Sequence, residues 1–451
     1  MSGPVAELLL GLPTALSCEL LCVWLCIPSL VRLDSAYCDR KKRSNLLALY
    51  QQPELLFSQS CPEDLLPWIL KTRIRLCKLV VYEDVPVELA VAYLKERGQS
   101  IKFVKVQYEA SAEVIEAVAL YCPNVRQLEA YHLNDEIIGL LNHQQILERL
   151  EFSLTAFEPE RTATLLELPH LRKLTMNWHQ TRDNEELLCS VVRQCPELTH
   201  FSLEDGHMLV EFPGLRLFEN LAKLVALSFS SPSIDDATLS DIADLCPLIE
   251  HLDLRDNSQL TDNGLYAVAT KLKLKSIAFC CSKTITGCGL LHLRHCSSTL
   301  KVLCITQTVG FPHVGTHPIT VHAIQTLQSC TQLTVYDWRS VVWYSSLDFT
   351  ECTCATTIVF SVAATDALLL SMAQHCTQLK HLNIIRGGYE LIPRYTSVGL
   401  YAVIHNCPLL QTIRVNENMD QKEFGEILGL YKHIFVCSTD YGESLYDVMD
   451  M

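Results

Sequence analysis

The chain has 451 residues, 49% of them hydrophobic, and a formal net charge of −15 from 36 basic and 51 acidic side chains. That apolar content excludes wholesale disorder. The 17 Gly and 18 Pro are too few for a collagen-like or linker protein, and the acidic balance excludes a general nucleic-acid binder, which needs a Lys/Arg surface to neutralise phosphates. At roughly 100–200 residues per domain, the length allows two to four domains or one repeat array. A chain this long with 21 cysteines is not a small disulfide scaffold, so free thiols in a reducing compartment, cytoplasmic or nuclear, are expected.

Residues 8–31 form an apolar stretch broken by Pro13, Glu19 and Pro28. A membrane span needs about 20 apolar residues with few interruptions, and the opening MSGPVAE lacks the basic start of a secretory signal. No membrane contact is expected. Leu20, Leu21, Trp24 and Leu25, then Leu30, Leu33 and Tyr37, read as two short helices with a turn at Pro28-Ser29. The basic run Arg40-Lys41-Lys42-Arg43 is expected at a solvated corner between helices.

The Leu12-Pro13 start, the ELL of the first helix and the following SLVRLDSAYCDR resemble an F-box, a small helical module that docks on the Skp-type adaptor of a cullin ubiquitin ligase. The resemblance implies that Leu12, Pro13, Leu20, Leu21 and Leu25 face the adaptor, while Leu30, Leu33 and Tyr37 pack the second helix. Pro28 stands where the family carries an acidic residue, and Tyr50 or Trp68 would replace its Trp near the third helix. A second reading stays open: the helices cap the apolar end of a repeat array, with Leu20, Leu21 and Leu25 buried near Leu76 and Leu79.

From about residue 73 a single pattern recurs. LYCPNVRQLEA (120–130), RQCPELTHFSL (193–203), DLCPLIEHLDL (244–254), QHCTQLKHLNI (374–384) and HNCPLLQTIRV (405–415) each read C-x-x-L-x-x-L-x-L. Its first position advances from 73 to 428 in fourteen steps, a mean of about 25 residues, within the leucine-rich-repeat range. The last two apolar positions share one face of a short strand. Helical periodicity follows, as in TDNGLYAVATKL (261–272), with Thr261 and Asp262 at the cap. The implied fold is α/β, a leucine-rich-repeat solenoid: a curved parallel sheet of about fifteen strands with helices on the convex side. Cys122, Cys195, Cys246, Cys330, Cys354, Cys376 and Cys407 fall at the first position and read as buried packing residues. The stretch 245–269 resembles the cysteine-containing repeats best known from F-box/leucine-rich-repeat proteins. The expected organisation is an F-box-like module at 1–58, the array at 59–437 and an acidic tail at 438–451.

No phosphate-binding loop, dinucleotide fingerprint, nucleophile elbow or zincin motif occurs. Cys280, Cys281, Cys288, His292, His295 and Cys296 lack compact zinc-ligand pairing. No catalysis, metal or cofactor is expected. Binding is placed on the solvent-facing strand residues, among them His200, Glu204, His251, Asp253, Arg255, Asp337, Arg339 and His381, and on two long loops after strands, 306–320 and 384–400. Phe311, Arg386, Tyr389, Arg394 and Tyr395 in those loops are interface-forming types. The resemblance implies a substrate receptor that holds the Skp-type adaptor and cullin at one end and a protein substrate on the array. The alternative is an interaction scaffold without ligase partners.

Overall fold

The computed structural model describes residues 12–25, 27–36, 40–52, 55–57, 65–83, 85–107, 112–130, 141, 146–154, 168–178, 185–205, 214–229, 234–254, 257, 259–281, 284–285, 287–307, 332–335, 353–361, 365–385, 396–415 and 435–438. The chain divides into two units, residues 1–208 and 209–451.

The first unit opens with α1 (Thr14–Trp24), α2 (Ile27–Ala36) and α3 (Arg40–Tyr50). Cys18, Leu21, Ile27, Leu30, Leu46 and Tyr50 are buried, and the Tyr50 hydroxyl donates to Leu30 O at 3.3 Å between α3 and α2. Helix α2 begins at Ile27, with Pro28 in its first turn, where a missing N–H leaves no bond unmade. The interruption therefore precedes Pro28 instead of falling at Pro28-Ser29. Strand β1 (Leu56–Phe57) pairs in parallel with β2 (Arg75–Leu76). Between them lies α4 (Leu66–Thr72), which ends on Arg73 in the left-handed region at φ 59°.

Strands β3 (Lys78–Val81), β4 (Phe103–Val106), β5 (Gln127–Ala130), β6 (Arg149–Leu154), β7 (Lys173–Trp178) and β8 (His200–Asp205) follow. Each pairs in parallel with the next. Helices α5 (Val87–Arg97), α6 (Ala112–Tyr121) and α7 (Glu185–Arg193) connect some of them.

In the second unit the strands are β9 (Ala226–Phe229), β10 (His251–Leu254), β11 (Ser276–Cys281), β12 (Val302–Gln307), β13 (Gln332–Val335), β14 (Thr357–Ser361), β15 (His381–Ile385), β16 (Thr412–Val415) and β17 (Phe435–Ser438). They also lie side by side in chain order, all parallel. The helices are α8 (Asp236–Leu245), α9 (Asp262–Lys271), α10 (Gly287–His292), α11 (Asp366–His375) and α12 (Ser397–Asn406). Strand, turn, helix and turn, stacked with parallel neighbours in sequence order, make a leucine-rich-repeat solenoid.

The register follows from alternation. Leu252 and Leu254 are 2% and 0% exposed, while His251 faces solvent and Asp253 is half-buried. Their partners Leu227, Ile277 and Phe279 are buried too, so each rung adds apolar side chains to one continuous layer.

Cys122, Cys195, Cys246, Cys376 and Cys407 are buried, and none forms a disulfide. Each precedes its strand by five residues, as Cys246 precedes His251. The thiols bond backward along the array: Cys246 Sγ donates to Phe218 O at 3.8 Å and Cys407 Sγ to Cys376 O at 3.4 Å. Cys354 departs from the expected pattern. It is exposed, and Ala355 is the buried residue beside it. Pairing of Ile358 with Leu382 fixes the phase so that Cys354 falls off the buried position. Cys330 lies outside the described residues. The long steps measure 30 residues from Val302 to Gln332 and 31 from His381 to Thr412.

An inter-repeat lock recurs at the helix starts. The Asp366 carboxylate, in the first turn of α11, accepts from Thr396 N (2.8 Å), Thr396 Oγ1 (2.8 Å) and Gly399 N (3.1 Å) of the next repeat. Thr396 in turn caps α12 by accepting from Val398 N at 3.2 Å. Asp236 holds Thr261 in the same way through its backbone N–H and hydroxyl. One side chain thus satisfies N-terminal donors of the neighbouring helix, which are otherwise left open at a helix start.

Candidate functional site

Two surfaces carry the expected binding residues. The first is the N-terminal helical module. Pro13 is exposed, and Leu12, Leu20 and Leu25 are half-buried. Leu21 is 0% exposed, which removes it from the expected adaptor-facing edge. The reason is helical phase: one residue is about 100° of rotation, so Cys18 and Leu21 turn into the module core while Leu16 and Leu20 turn away from it. Leu16, 43% exposed, was missed by sequence reasoning. Its i, i+4 spacing to Leu20 was the available signal.

The basic run opens α3, and its last residue is engaged. Arg43 Nε donates to Asp34 Oδ1 at 2.8 Å and Nη2 to Oδ2 at 2.9 Å. Trp68 Nε1 of α4 donates to the same Oδ2 at 3.0 Å. Burial raises the Asp34 pKa, but the hydrogen bonds from Arg43 and Trp68 and the Arg43 charge outweigh it and leave the carboxyl below its ordinary value. Tyr50 meets Trp68 edge-on at 6.0 Å between ring centres.

The second surface is the sheet face that carries the alternate, solvent-facing strand residues. In the first unit Lys105 of β4 bridges to Glu129 of β5 at 2.9 Å. His200 is half-buried. Its Nδ1 lies 2.9 Å from Thr199 Oγ1, whose hydroxyl proton is used on Arg172 O at 3.1 Å. In the second unit His251 Nδ1 meets Ser276 Oγ across one rung and His381 Nδ1 meets Thr412 Oγ1 across another, both at 2.8 Å. Burial pushes both imidazoles below the ordinary histidine pKa, helped at His251 by Lys275 against the opposing Glu250, and at His381 by Lys380 and Arg414. These imidazole–hydroxyl pairs form polar rungs on a face that also carries Asp253 and Arg414.

Glu204 belongs to β8. Arg255, Asp337, Arg339, Phe311, Arg386, Tyr389, Arg394 and Tyr395 lie outside the described residues. In the outer helical layer Tyr266 packs edge-on against His292 at 4.9 Å and against His295 at 6.1 Å. Cys296 Sγ donates to Ala269 O at 3.3 Å. Among the described residues no group of three or more His, Cys, Asp or Glu is arranged to hold a metal, and no helix is long and apolar enough to cross a membrane.

No protein-family model and no curated protein matches the chain. Among solved structures it is similar to the yeast Rad7–Elc1 complex, at 12% identity and a TM-score of 0.46, covering 96% of this chain and 92% of that one. It is also similar to a TLR13–ssRNA13 complex, at 12% identity and a TM-score of 0.38, covering 82% of this chain and 63% of that one.

Proposed function

We propose that the chain is a non-catalytic protein-interaction protein, a substrate receptor of a Skp–cullin–F-box type ubiquitin ligase. The observation that carries this reading is Leu16, 43% exposed on α1 and one helical turn from the half-buried Leu20. A helix that presents leucines at helical spacing offers a surface for another protein. The module holds the adaptor and cullin, while the strand faces and long loops hold a protein substrate. The chain's contribution to transfer is proximity, a raised local concentration of substrate lysines near the transferring enzyme. Its place of action is the cytoplasm or nucleus.

A specific contact favours the scaffold reading as well: Trp68 of α4 bonds to Asp34 of the module, as a structural cap joined to its array would. Affinity purification of the tagged full chain separates the two. Adaptor and cullin are expected to co-purify with wild type and to be lost from the Leu16→Asp variant. Its unfolding curve should stay close to wild type, since changes at open positions usually shift stability by about 0.5 kcal/mol. A wild-type chain that never carries the adaptor establishes the scaffold instead.

A further inference from the structure

A groove of about 290 Å³ runs along the turn edge of the first unit, and Arg75, Lys102, Arg126, Leu56 and Ile146 line it. These residues come from successive rungs: Leu56 and Arg75 open β1 and β2, Lys102 and Arg126 precede β4 and β5, and Ile146 precedes β6. Its chemistry is opposite to that of the chain as a whole, which carries −15. Three cations face it. Lys102 and Arg126 are exposed, and Arg75 keeps its Nε buried without a partner among the described residues. Arg126 Nη1 donates to Glu148 Oε1 at 2.7 Å, an exposed pair. Leu56 and Ile146, 37% and 38% exposed, stand at the first and last rungs.

The floor is fixed before any ligand arrives. Ser100 Oγ donates to Leu76 O at 3.1 Å, Asn124 Nδ2 to Gln99 O at 2.8 Å, and Arg126 N to Lys102 O at 2.8 Å. A preorganised site loses less entropy on binding. Guanidinium groups suit carboxylates, which they grip through paired N–H donors. The apolar rungs decide between anionic ligands: a phosphodiester strand would use the cations and leave Leu56 and Ile146 uncovered, whereas a peptide covers both.

We propose that this groove binds an acidic segment of a partner protein, with carboxylate side chains on Arg75, Lys102 and Arg126 and an apolar side chain against Leu56 or Ile146. The site is separate from the adaptor-facing helix and from the sheet face. Its test measures peptide binding directly, so its outcome does not depend on whether an adaptor co-purifies. The full chain is panned against a random peptide library displayed on phage, and enriched sequences are synthesised for fluorescence anisotropy. Enriched peptides should pair Asp or Glu with a nearby apolar residue. They should bind the Lys102→Ala/Arg126→Ala variant about tenfold or more weakly, with an unchanged unfolding curve, and should resist displacement by inorganic phosphate or oligo(dT). Enrichment without acidic residues, equal binding by the variant, or displacement by phosphate or oligo(dT) would overturn the proposal.

Discussion

Asp34 is the residue on which the N-terminal module turns. Its side chain is 3% exposed, and a carboxylate so placed is tolerated only when its charge is matched and its lone pairs are used. Arg43 from α3 and Trp68 from α4 meet both needs. Asp34→Asn presents an NH2 group to one of those N–H donors, and the half-buried indole N–H or a guanidinium N–H loses its charged acceptor. A loss of about 1–3 kcal/mol is expected for a hydrogen bond to a charged group, read from urea unfolding at neutral pH. The folded-state pKa lies below the ordinary carboxyl value of 3.8, so the folded protein binds fewer protons than the unfolded one. The Asp34 contribution is therefore complete above 3.8 and is lost as pH falls through the folded value. Wild type and Asp34→Asn should converge in stability at acid pH, and a gap that stays constant would show that the carboxylate charge contributes nothing.

At the scale of one helix and its neighbour, the Asp-Thr-Gly lock sets two effects against each other. Ala in a helix is favoured over Gly by about 1 kcal/mol, so Gly399→Ala in α12 would stabilise an isolated helix. Here an added Cβ would sit 2.6 Å from Asp366 Oδ1 and 2.8 Å from Leu369 Cδ1, and overpacking of that kind costs about 1–3 kcal/mol. The clash should win, and Gly399→Ala should lower the urea midpoint. Asp366→Ala alone should also lower it, through loss of the Thr396 and Gly399 bonds. The double variant should be more stable than the sum predicts, because removing the carboxylate clears part of the space. Strict additivity would refute direct contact between the two positions.

Across the whole molecule, thiol reactivity reports the repeat phase at many rungs at once. Burial pushes Cys122, Cys195 and Cys246 up to about 12 and Cys407 up to about 11. Thiolate, the reactive form, is scarce at such sites. Cys288 and Cys354 are exposed. Iodoacetamide labelling of the native chain, read by peptide mass spectrometry, should modify Cys288 and Cys354 well before Cys122, Cys195, Cys246, Cys376 and Cys407. Early labelling at Cys195 or Cys246, or protection of Cys354, would place the strands in a different phase.

The array was legible in the sequence because its rules are local. Leu252 and Leu254 alternate with His251 and Asp253 over four residues, and Cys246 precedes them at a constant distance, so strand, facing and repeat length follow from spacing alone. Where two cysteines stand close together, pairing decides: the register of Ile358 against Leu382 puts Cys354 two residues past the first repeat position. The module and the groove belong to tertiary structure for the same reason. Asp34 and Trp68 are 34 residues apart in the chain, and neither marks the other by type or spacing. Leu21 and Leu20 are chemically identical neighbours, and α1 buries the first fully and the second only in part, because helix packing sets the phase of the stripe. The basic groove draws its residues from five segments spread over residues 56–146. Stacking the repeats is what brings Arg75, Lys102 and Arg126 to one groove.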